Sequence, residues 1–151
     1  MKNIEYFMNI AIKEAKKALL AGEVPVGCVI VKDDQIIAKG HNKRETKNIV
    51  ISHAEIETIN KANKKLNSWR LNDCDIYITL EPCIMCMGAI IQSRIKNIYF
   101  GAYDSKAGAV TSTIDILSNK NINHRPMVYG GVLEGECSLL MKEFFNSKRL
   151  R

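Results

Sequence analysis

The chain has 151 residues, the length of about one domain, and a domain of this size buries roughly 68–70% of its unfolded surface in one core. Hydrophobic residues make up 46% of the chain and charged residues 25%, which excludes the composition of a disordered protein. The formal net charge of +6 suits a polyanionic partner, but charge alone does not separate nucleic-acid-binding proteins from other basic proteins.

The sequence also bears on the cellular compartment. The longest nearly apolar runs, 24–31 and 84–91, fall well short of the roughly 20 residues that span a bilayer. The N-terminus shows neither the apolar region nor the cleavage site of a secretion signal. Five cysteines are an odd number, and a domain of this length needs no disulfide bridges, so a reducing compartment fits best. We therefore expect one domain over residues 1–151, no membrane span and a cytoplasmic location.

Apolar residues at steps of three and four predict helices, and β-branched or alternating runs predict strands. In chain order the predicted elements are a helix over 4–19, strands over 26–32 and 35–39, a helix over 53–66, a strand over 76–80, a helix over 82–94, a strand over 97–101, a short helix near 114–118, a strand over 127–131 and a helix over 134–147. Because helices alternate with strands through the middle of the chain, we expect an α/β fold whose sheet is covered by helices on both faces.

Three element boundaries are predicted from particular residues. Gly22 is predicted to be the residue that follows the C-cap of the first helix, so this helix should end there. Asp33-Asp34 should form the turn of an antiparallel hairpin between the first two strands. Ser52 is the predicted N-cap of the helix over 53–66. The preceding patch 49–51 is apolar within a polar loop and has no clear assignment.

Two short stretches carry the chemistry: His53-Ala54-Glu55 and, thirty residues later, Pro82-Cys83-Ile84-Met85-Cys86. Cys83 and Cys86 would share one face of a helix start, where the positive end of the helix dipole lowers the pKa of thiols. By itself a Cys-x-x-Cys fits a metal site, a redox pair or coincidence, and the preceding His53 favours zinc. Three ligands leave the fourth tetrahedral position for water, as in catalytic zinc sites.

Glu55 has two interpretations. A zinc-bound water has a pKa near 7, and a carboxylate beside it can accept its proton and later donate it. Ser52-His53-Ala54-Glu55 also fits a capping box, in which the glutamate bonds the backbone of Ser52 and needs no chemistry. The cysteine pair favours catalysis by Glu55.

The remaining cysteines and histidines are expected to stay outside the metal site. Cys28, Cys74 and Cys137 are predicted to be buried small hydrophobes, although one of them as a fourth ligand would make the zinc structural. His41 and His124 stand in no metal-ligand spacing.

Asn42 and Asp104 are candidate substrate contacts, but asparagine and aspartate are also residue types that are common in turns. Asn42 follows the second strand near the place where strand ends and helix starts should converge, so its amide could bond a polar substrate edge. From the residues alone, the turn interpretation is favoured for both.

Phe144 and Phe145 precede a basic tail that includes Arg149. Aromatic rings among cations can stack on exposed bases. Adjacent aromatics in a terminal helix are usually core, so we expect at least one of the two rings to be buried.

These motifs give the chain a resemblance to the bacterial tRNA-specific adenosine deaminases of the cytidine deaminase-like superfamily. His-x-Glu followed by Pro-Cys-x-x-Cys is the signature of zinc nucleobase deaminases as a whole. The form Glu-Pro-Cys-x-Met-Cys and the following Gly-Ala-x-Asp loop are typical of the tRNA branch. The resemblance runs nearly end to end, over 22–27, 53–55, 80–86, 101–106 and 123–125.

The resemblance implies a three-layer α/β/α sandwich with a five-stranded mixed sheet, in a cytoplasmic homodimer with one Zn²⁺ per subunit. It implies a hydrolase acting on C–N bonds of amidines that converts adenosine to inosine at wobble position 34 of a tRNA anticodon stem-loop. By the same likeness His53, Cys83 and Cys86 hold zinc and Glu55 carries protons. Asn42 is then expected to contact the flipped nucleotide, and Asp104 to lie near a ribose of the anticodon loop.

Our mechanistic hypothesis is that zinc-bound hydroxide attacks C6 of the extruded adenine while Glu55 moves the protons. One departure concerns the residues before His53, where the family usually has Pro-Thr-Ala and this chain has Val50-Ile51-Ser52. The rival functions are a deaminase of free cytosine, cytidine or guanine, and a non-catalytic zinc module that only holds RNA.

Overall fold

The computed structural model describes residues 3–149, without the side chain of Arg149. Five strands and four of the five α-helices follow the predicted order. The helix over Arg44–Lys47 was not predicted, and the short helix predicted near 114–118 is a 3₁₀ turn over Ile116–Ser118. The elements are α1 (Ile4–Leu20), β1 (Gly27–Lys32), β2 (Gln35–His41), α2 (Arg44–Lys47), α3 (Ala54–Leu66), β3 (Cys74–Leu80), α4 (Ile84–Gln92), β4 (Asn97–Ala102), β5 (Met127–Tyr129) and α5 (Glu134–Arg149).

The strands form one mixed sheet in the order β2-β1-β3-β4-β5. β1 runs antiparallel to β2 and β3, whereas β4 runs parallel to β3 and β5. Helices cover both faces: α3 and α4 pack on one side, and α1 and α5 on the other. The three-layer α/β/α sandwich with a five-stranded mixed sheet is therefore confirmed.

Both turn predictions are confirmed. Asp33 and Asp34 have φ of 50° and 60°, and a two-residue hairpin turn with two positive φ angles matches the right-handed twist of its strands. Gly22 has φ of 79° directly after α1, and its N–H donates to the Leu19 carbonyl. The N–H of Glu23 donates to the Ala18 carbonyl, which completes a Schellman motif.

The prediction that Ser52 is the N-cap of α3 is wrong, and so is the alternative interpretation of Ser52 and Glu55 as a capping box. His53 is the N-cap of α3, and the Glu57 N–H donates the first helical bond to its carbonyl. Ser52 belongs instead to a turn in which its N–H donates to the Ile49 carbonyl. The sequence pattern could not distinguish His53 from Ser52 as the N-cap, because serine is one of the preferred N-cap residues.

The segment predicted as loop between β2 and α3 contains the short helix α2. Glu57 of α3 holds it there, since the Lys47 Nζ lies 2.7 Å from the Glu57 carboxylate. The apolar patch 49–51 follows α2 and is exposed. Without a proline, this stretch is shaped by backbone bonds, including one of 2.7 Å from the His53 N–H to the Ile51 carbonyl.

None of the helices within residues 3–149 is long and apolar enough to cross a membrane. The five cysteines all lie in that range, and none of them is in a disulfide. Cys28, Cys74 and Cys137 are buried, as predicted.

Gly27 is where α1 lies closest to the sheet. A Cβ added there would lie 1.9 Å from the Ala11 carbonyl oxygen, so Gly27→Ala forces α1 away from β1. We expect a loss of about 3 kcal/mol in the free energy of unfolding, measured by urea denaturation. Gly135→Ala in α5 is the control, because its Cβ meets nothing within 4 Å and an alanine is favourable in a helix. Equal stability of the two variants would contradict this packing.

Candidate active site

The three predicted metal ligands converge where α3 and α4 begin. His53 is the N-cap of α3 and Cys83 the N-cap of α4, each with extended backbone and no capping bond from its side chain. Cys86 lies one turn into α4 and is buried. The His53 Nδ1 atom lies 3.7 Å from the Cys83 Sγ atom and 3.6 Å from the Cys86 Sγ atom.

This spacing is that of ligands around one ion. Zn–S bonds of about 2.3 Å and Zn–N bonds of about 2.0 Å at tetrahedral angles put sulfur and nitrogen about 3.6 Å apart. All three ligand atoms lie within 4.8 Å of one another, and within residues 3–149 no other His, Cys, Asp or Glu joins such a group. The donor set and its spacing therefore fit a zinc ion.

The three side chains shift one another's pKa values. A hydrogen bond from the Cys86 thiol, opposed by burial and helped by His53, lowers the pKa of Cys83 to about 4. The bond to Cys83 and burial raise the pKa of Cys86, and the bond to Cys83 also raises that of His53. Binding of a metal ion would displace the thiol and imidazole protons, since metal binding releases ligand protons.

Glu55 lies in the first turn of α3, only 4% exposed, and lines the same pocket as His53 and Cys83. Burial is the largest influence on its carboxyl group and raises its pKa to about 7, with the Cys83 charge adding to the effect. A carboxyl group in this environment can both accept and release a proton.

The pocket has a volume of about 650 Å³, in the range of ligand-binding cavities. It brings together the predicted Asn42, Glu55, Asp104 and Phe145 with the candidate metal ligands His53 and Cys83. Phe144 is not among its lining residues.

Asn42 is buried and held at the pocket wall by two backbone groups. Its Nδ2 donates to the Val24 carbonyl at 3.2 Å, and its Oδ1 accepts from the Arg44 N–H at 3.1 Å. The buried carboxylate of Glu23 fixes the next turn by accepting from the N–H groups of Glu45 and Thr46. Burial opposes ionisation of Glu23, but these bonds outweigh it and lower its pKa.

Asp104 lies on the loop between β4 and the 3₁₀ turn. Its Oδ1 accepts from the N–H groups of Lys106 and Ala107, so the predicted role as a turn residue is present in the structure. The same residue lines the pocket and is half-buried. A turn role and a substrate contact are therefore compatible.

The two phenylalanines of α5 have different environments. Phe144 is buried, and the Lys148 Nζ lies 5.4 Å from its ring centroid. Phe145 is 48% exposed, lines the pocket and contacts the Phe144 ring edge-on at 5.3 Å between centroids. The expectation that at least one ring is buried is thus met. The side chain of Arg149 lies outside the described part of the chain.

The two remaining histidines have other partners. His41 Nδ1 lies 3.3 Å from the Glu14 carboxylate, and His124 Nε2 lies 2.7 Å from the Ile95 carbonyl.

Sequence reasoning left four charged pocket residues out of the site: Arg44, Glu81, Lys106 and Lys142. Arg44 stands two positions after Asn42, and Lys106 stands two positions after Asp104. Their closeness in sequence to the predicted substrate contacts could have indicated that they line the same pocket. Glu81 directly precedes the Pro82-Cys83 start of the ligand motif. Lys142 stands two residues before Phe144 in the same basic C-terminal stretch.

Comparison with known proteins identifies the chain's relatives. A family model of MafB19-like deaminases matches residues 1–149. A tRNA-specific adenosine deaminase from Streptococcus pyogenes serotype M1 is 47% identical over 97% of this chain and 85% of its own. A structure from a study of A-to-I editing by tRNA:A34 deaminases at the wobble position of transfer RNA is 42% identical, with a TM-score of 0.87 over 89% of this chain and 98% of that chain.

A guanine deaminase structure from Bacillus subtilis is also similar, at 39% identity and a TM-score of 0.66 over 82% of this chain and 79% of that chain. It matches less of this chain, and less closely in shape, than the tRNA:A34 deaminase structure does. The cytidine deaminase-like fold, the match of residues 1–149 and the 47% identity agree with the motifs from which the resemblance was drawn. The chain belongs to the family of tRNA-specific adenosine deaminases.

Proposed function

We propose that this protein hydrolyses adenosine to inosine at wobble position 34 of a tRNA anticodon, acting in the cytoplasm as one deaminase domain over residues 1–151. The observation that carries the proposal is the convergence of His53, Cys83 and Cys86 beside the buried Glu55 at one pocket. The substrate follows from the relatives that are named tRNA-specific adenosine deaminases.

The cofactor we propose is one zinc ion per subunit, held by His53, Cys83 and Cys86. When bound, zinc supplies a water molecule that is acidic enough to react at neutral pH. The protein provides three ligands for it, which corresponds to the open shell of catalytic zinc sites.

Glu55 then moves the protons of the reaction. Its carboxylate accepts a proton from the water whose oxygen forms the bond to C6 of the adenine. It delivers this proton to N1 of the ring, then takes the second proton from the new hydroxyl on C6 and delivers it to the amino group, which leaves as ammonia when the C6–N bond breaks. Adenosine and water are consumed, inosine and ammonia are formed, and Glu55 returns to its starting state.

Substrate binding is proposed for the pocket walls. We propose that the Asn42 amide bonds the flipped nucleotide and that the Asp104 loop approaches a neighbouring ribose, whose 2′-hydroxyl distinguishes RNA from DNA. Phe145 offers an exposed face for stacking, with Phe144 packed against it. Arg149 and the pocket cations Arg44, Lys106 and Lys142 would neutralise phosphates.

The second candidate is deamination of free guanine, which the similarity to the guanine deaminase structure favours. A pocket that takes only a base has no need of several lining cations, whereas anticodon phosphates do. Binding of a tRNA stem-loop that weakens steeply with salt distinguishes the two.

The protein is further proposed to be a homodimer. The sequence of α4 carries no charged residue, and Ile84 on it is 56% exposed. A helix of this composition is usually covered on all sides. Gly88, one turn after Ile84, leaves open space in which a partner backbone fits closely.

The activity is tested with an anticodon stem-loop that carries adenosine at the wobble position, analysed by mass spectrometry. We expect inosine from the zinc-loaded protein and a loss of at least about 100-fold in turnover for Glu55→Ala, because general acid–base transfer is removed. Glu5→Ala is the matched control, an exposed glutamate in the first turn of α1 and outside the pocket. Absence of inosine together with ammonia release from free guanine or cytidine would move the protein to the small-molecule branch.

Metal binding has a readout that does not depend on activity. Cobalt(II) added to the metal-free protein should give a thiolate charge-transfer band, and zinc should bind at one equivalent per chain. Cys83→Ser and Cys86→Ser should each weaken this binding, since each removes one ligand. Cys74→Ser, at an equally unpaired buried cysteine, should keep it. Full zinc content in both ligand variants would refute the assignment.

The dimer is tested by two glycine variants with matched environments. Gly88→Arg and Gly135→Arg each place a side chain on a helix where a Cβ meets nothing within 4 Å. We expect Gly88→Arg to sediment as a monomer, because its charge lies on the proposed interface, and Gly135→Arg to remain dimeric. A monomeric wild type, or a dimeric Gly88→Arg, would contradict the proposal.

A further inference from the structure

Glu81 is a buried carboxylate that bonds almost exclusively to one loop. It stands between β3 and the ligand Cys83 and is 2% exposed. Five donors converge on its side chain from the segment 104–112. They are the N–H groups of Asp104, Val110, Thr111 and Ser112, at 2.8 to 3.1 Å, and the Ser112 hydroxyl.

These bonds leave Glu81 little capacity for chemistry. A carboxylate offers about four lone-pair sites, and five donors use them all. Glu81 also does not belong to the group of candidate metal ligands. Its function in the pocket is therefore to hold other residues in place.

The segment that Glu81 holds supplies one wall of the pocket. Residues 103–107 all line it, and they contribute both Asp104 and Lys106. Two backbone bonds attach the same loop to the ligand motif: the Glu81 N–H donates to the Ala102 carbonyl, and the Ala109 N–H donates to the Pro82 carbonyl, each at 2.8 Å. The loop and the start of α4 thus form one hydrogen-bonded unit.

Gly108 shows how closely the loop backbone approaches the carboxylate. A Cβ added there would lie 2.3 Å from the Glu81 carboxylate carbon and 2.3 Å from its Oε1. Any side chain at this position would push the loop off its anchor, although Gly108 itself does not line the pocket.

We propose that Glu81 is a positioning residue that fixes the loop 103–112 against the metal-binding end of α4, and thereby sets the affinity for the anticodon nucleotides. The inference rests on the proposed function, because the nucleic-acid substrate comes from there. Its consequence is a division of roles: Glu55 acts on the reacting base, and Glu81 acts on substrate binding through Asp104 and Lys106.

The test uses two variants that release the loop by different means. Glu81→Gln replaces one acceptor oxygen by an amide that cannot accept from the N–H groups facing it. Gly108→Ala keeps the carboxylate and displaces the loop sterically. Ser112→Ala removes a single donor and should have a smaller effect than either.

For Glu81→Gln and Gly108→Ala we expect KM for the stem-loop to rise roughly tenfold or more, the size typical of a lost charged hydrogen bond. The kcat should stay within about threefold and zinc content should stay at the wild-type value, because the ligands and Glu55 are unchanged. Amide hydrogen exchange of Val110, Thr111 and Ser112, measured without substrate, should accelerate in both variants.

A fall in kcat at unchanged KM would overturn the proposal, as would unchanged exchange at residues 110–112. A joint loss of zinc and of thermal stability in both variants would show a role in folding alone, and would also overturn it. If the wild type makes no inosine, the proposed function has failed, and substrate-free exchange at 110–112 still decides whether Glu81 anchors the loop.

Discussion

The site depends on one constraint, which is that α3 and α4 begin at the same end of the sheet with their N-caps facing each other. Only Glu81 and Pro82 separate the end of β3 from the N-cap Cys83, so the strand fixes where α4 starts. His53 meets Cys83 there because α3 packs on β1 and β2, and β1 is the strand paired with β3. The positive ends of the two helix dipoles therefore meet at the candidate metal ligands, where they favour the thiolate form of Cys83.

The buried glutamates divide into two kinds. In the described part of the chain, four have a lowered pKa because hydrogen bonds or cations outweigh the cost of burial: Glu14, Glu23, Glu57 and Glu81. Glu55 is the exception, since burial raises its pKa. The four are anions whose charge stabilises structure, and that stabilisation is lost as the pH falls through their lowered pKa values. Among these five buried glutamates, the one that can exchange a proton near neutral pH is Glu55, which lies beside the candidate metal ligands.

The sequence predicted those features of the structure that depend on residue type and on short spacings along the chain. Gly22 and Asp33-Asp34 were sufficient for their turns, because positive φ angles are accessible to few residue types. His53, Cys83 and Cys86 were found because metal ligands need particular atoms at particular spacings. The start of α3 was missed by one residue, since the turn that engages Ser52 depends on the conformation of 49–52. The anchoring by Glu81 could not be predicted from spacing, because its partners lie 23 to 31 residues away.

Two buried carboxylates fix two segments of the pocket wall, and this bears on how a nucleotide is accepted. Glu23 orders the turn after Asn42, and Glu81 orders the loop of Asp104, so both proposed substrate contacts are held in place without a ligand. A preformed pocket pays little ordering entropy on binding, and its affinity is then limited by the cost of extruding the base. That cost is lowest for a base that is already unpaired. A rigid pocket lined with cations therefore suits a single-stranded anticodon loop better than a duplex, where unpairing would consume much of the binding energy.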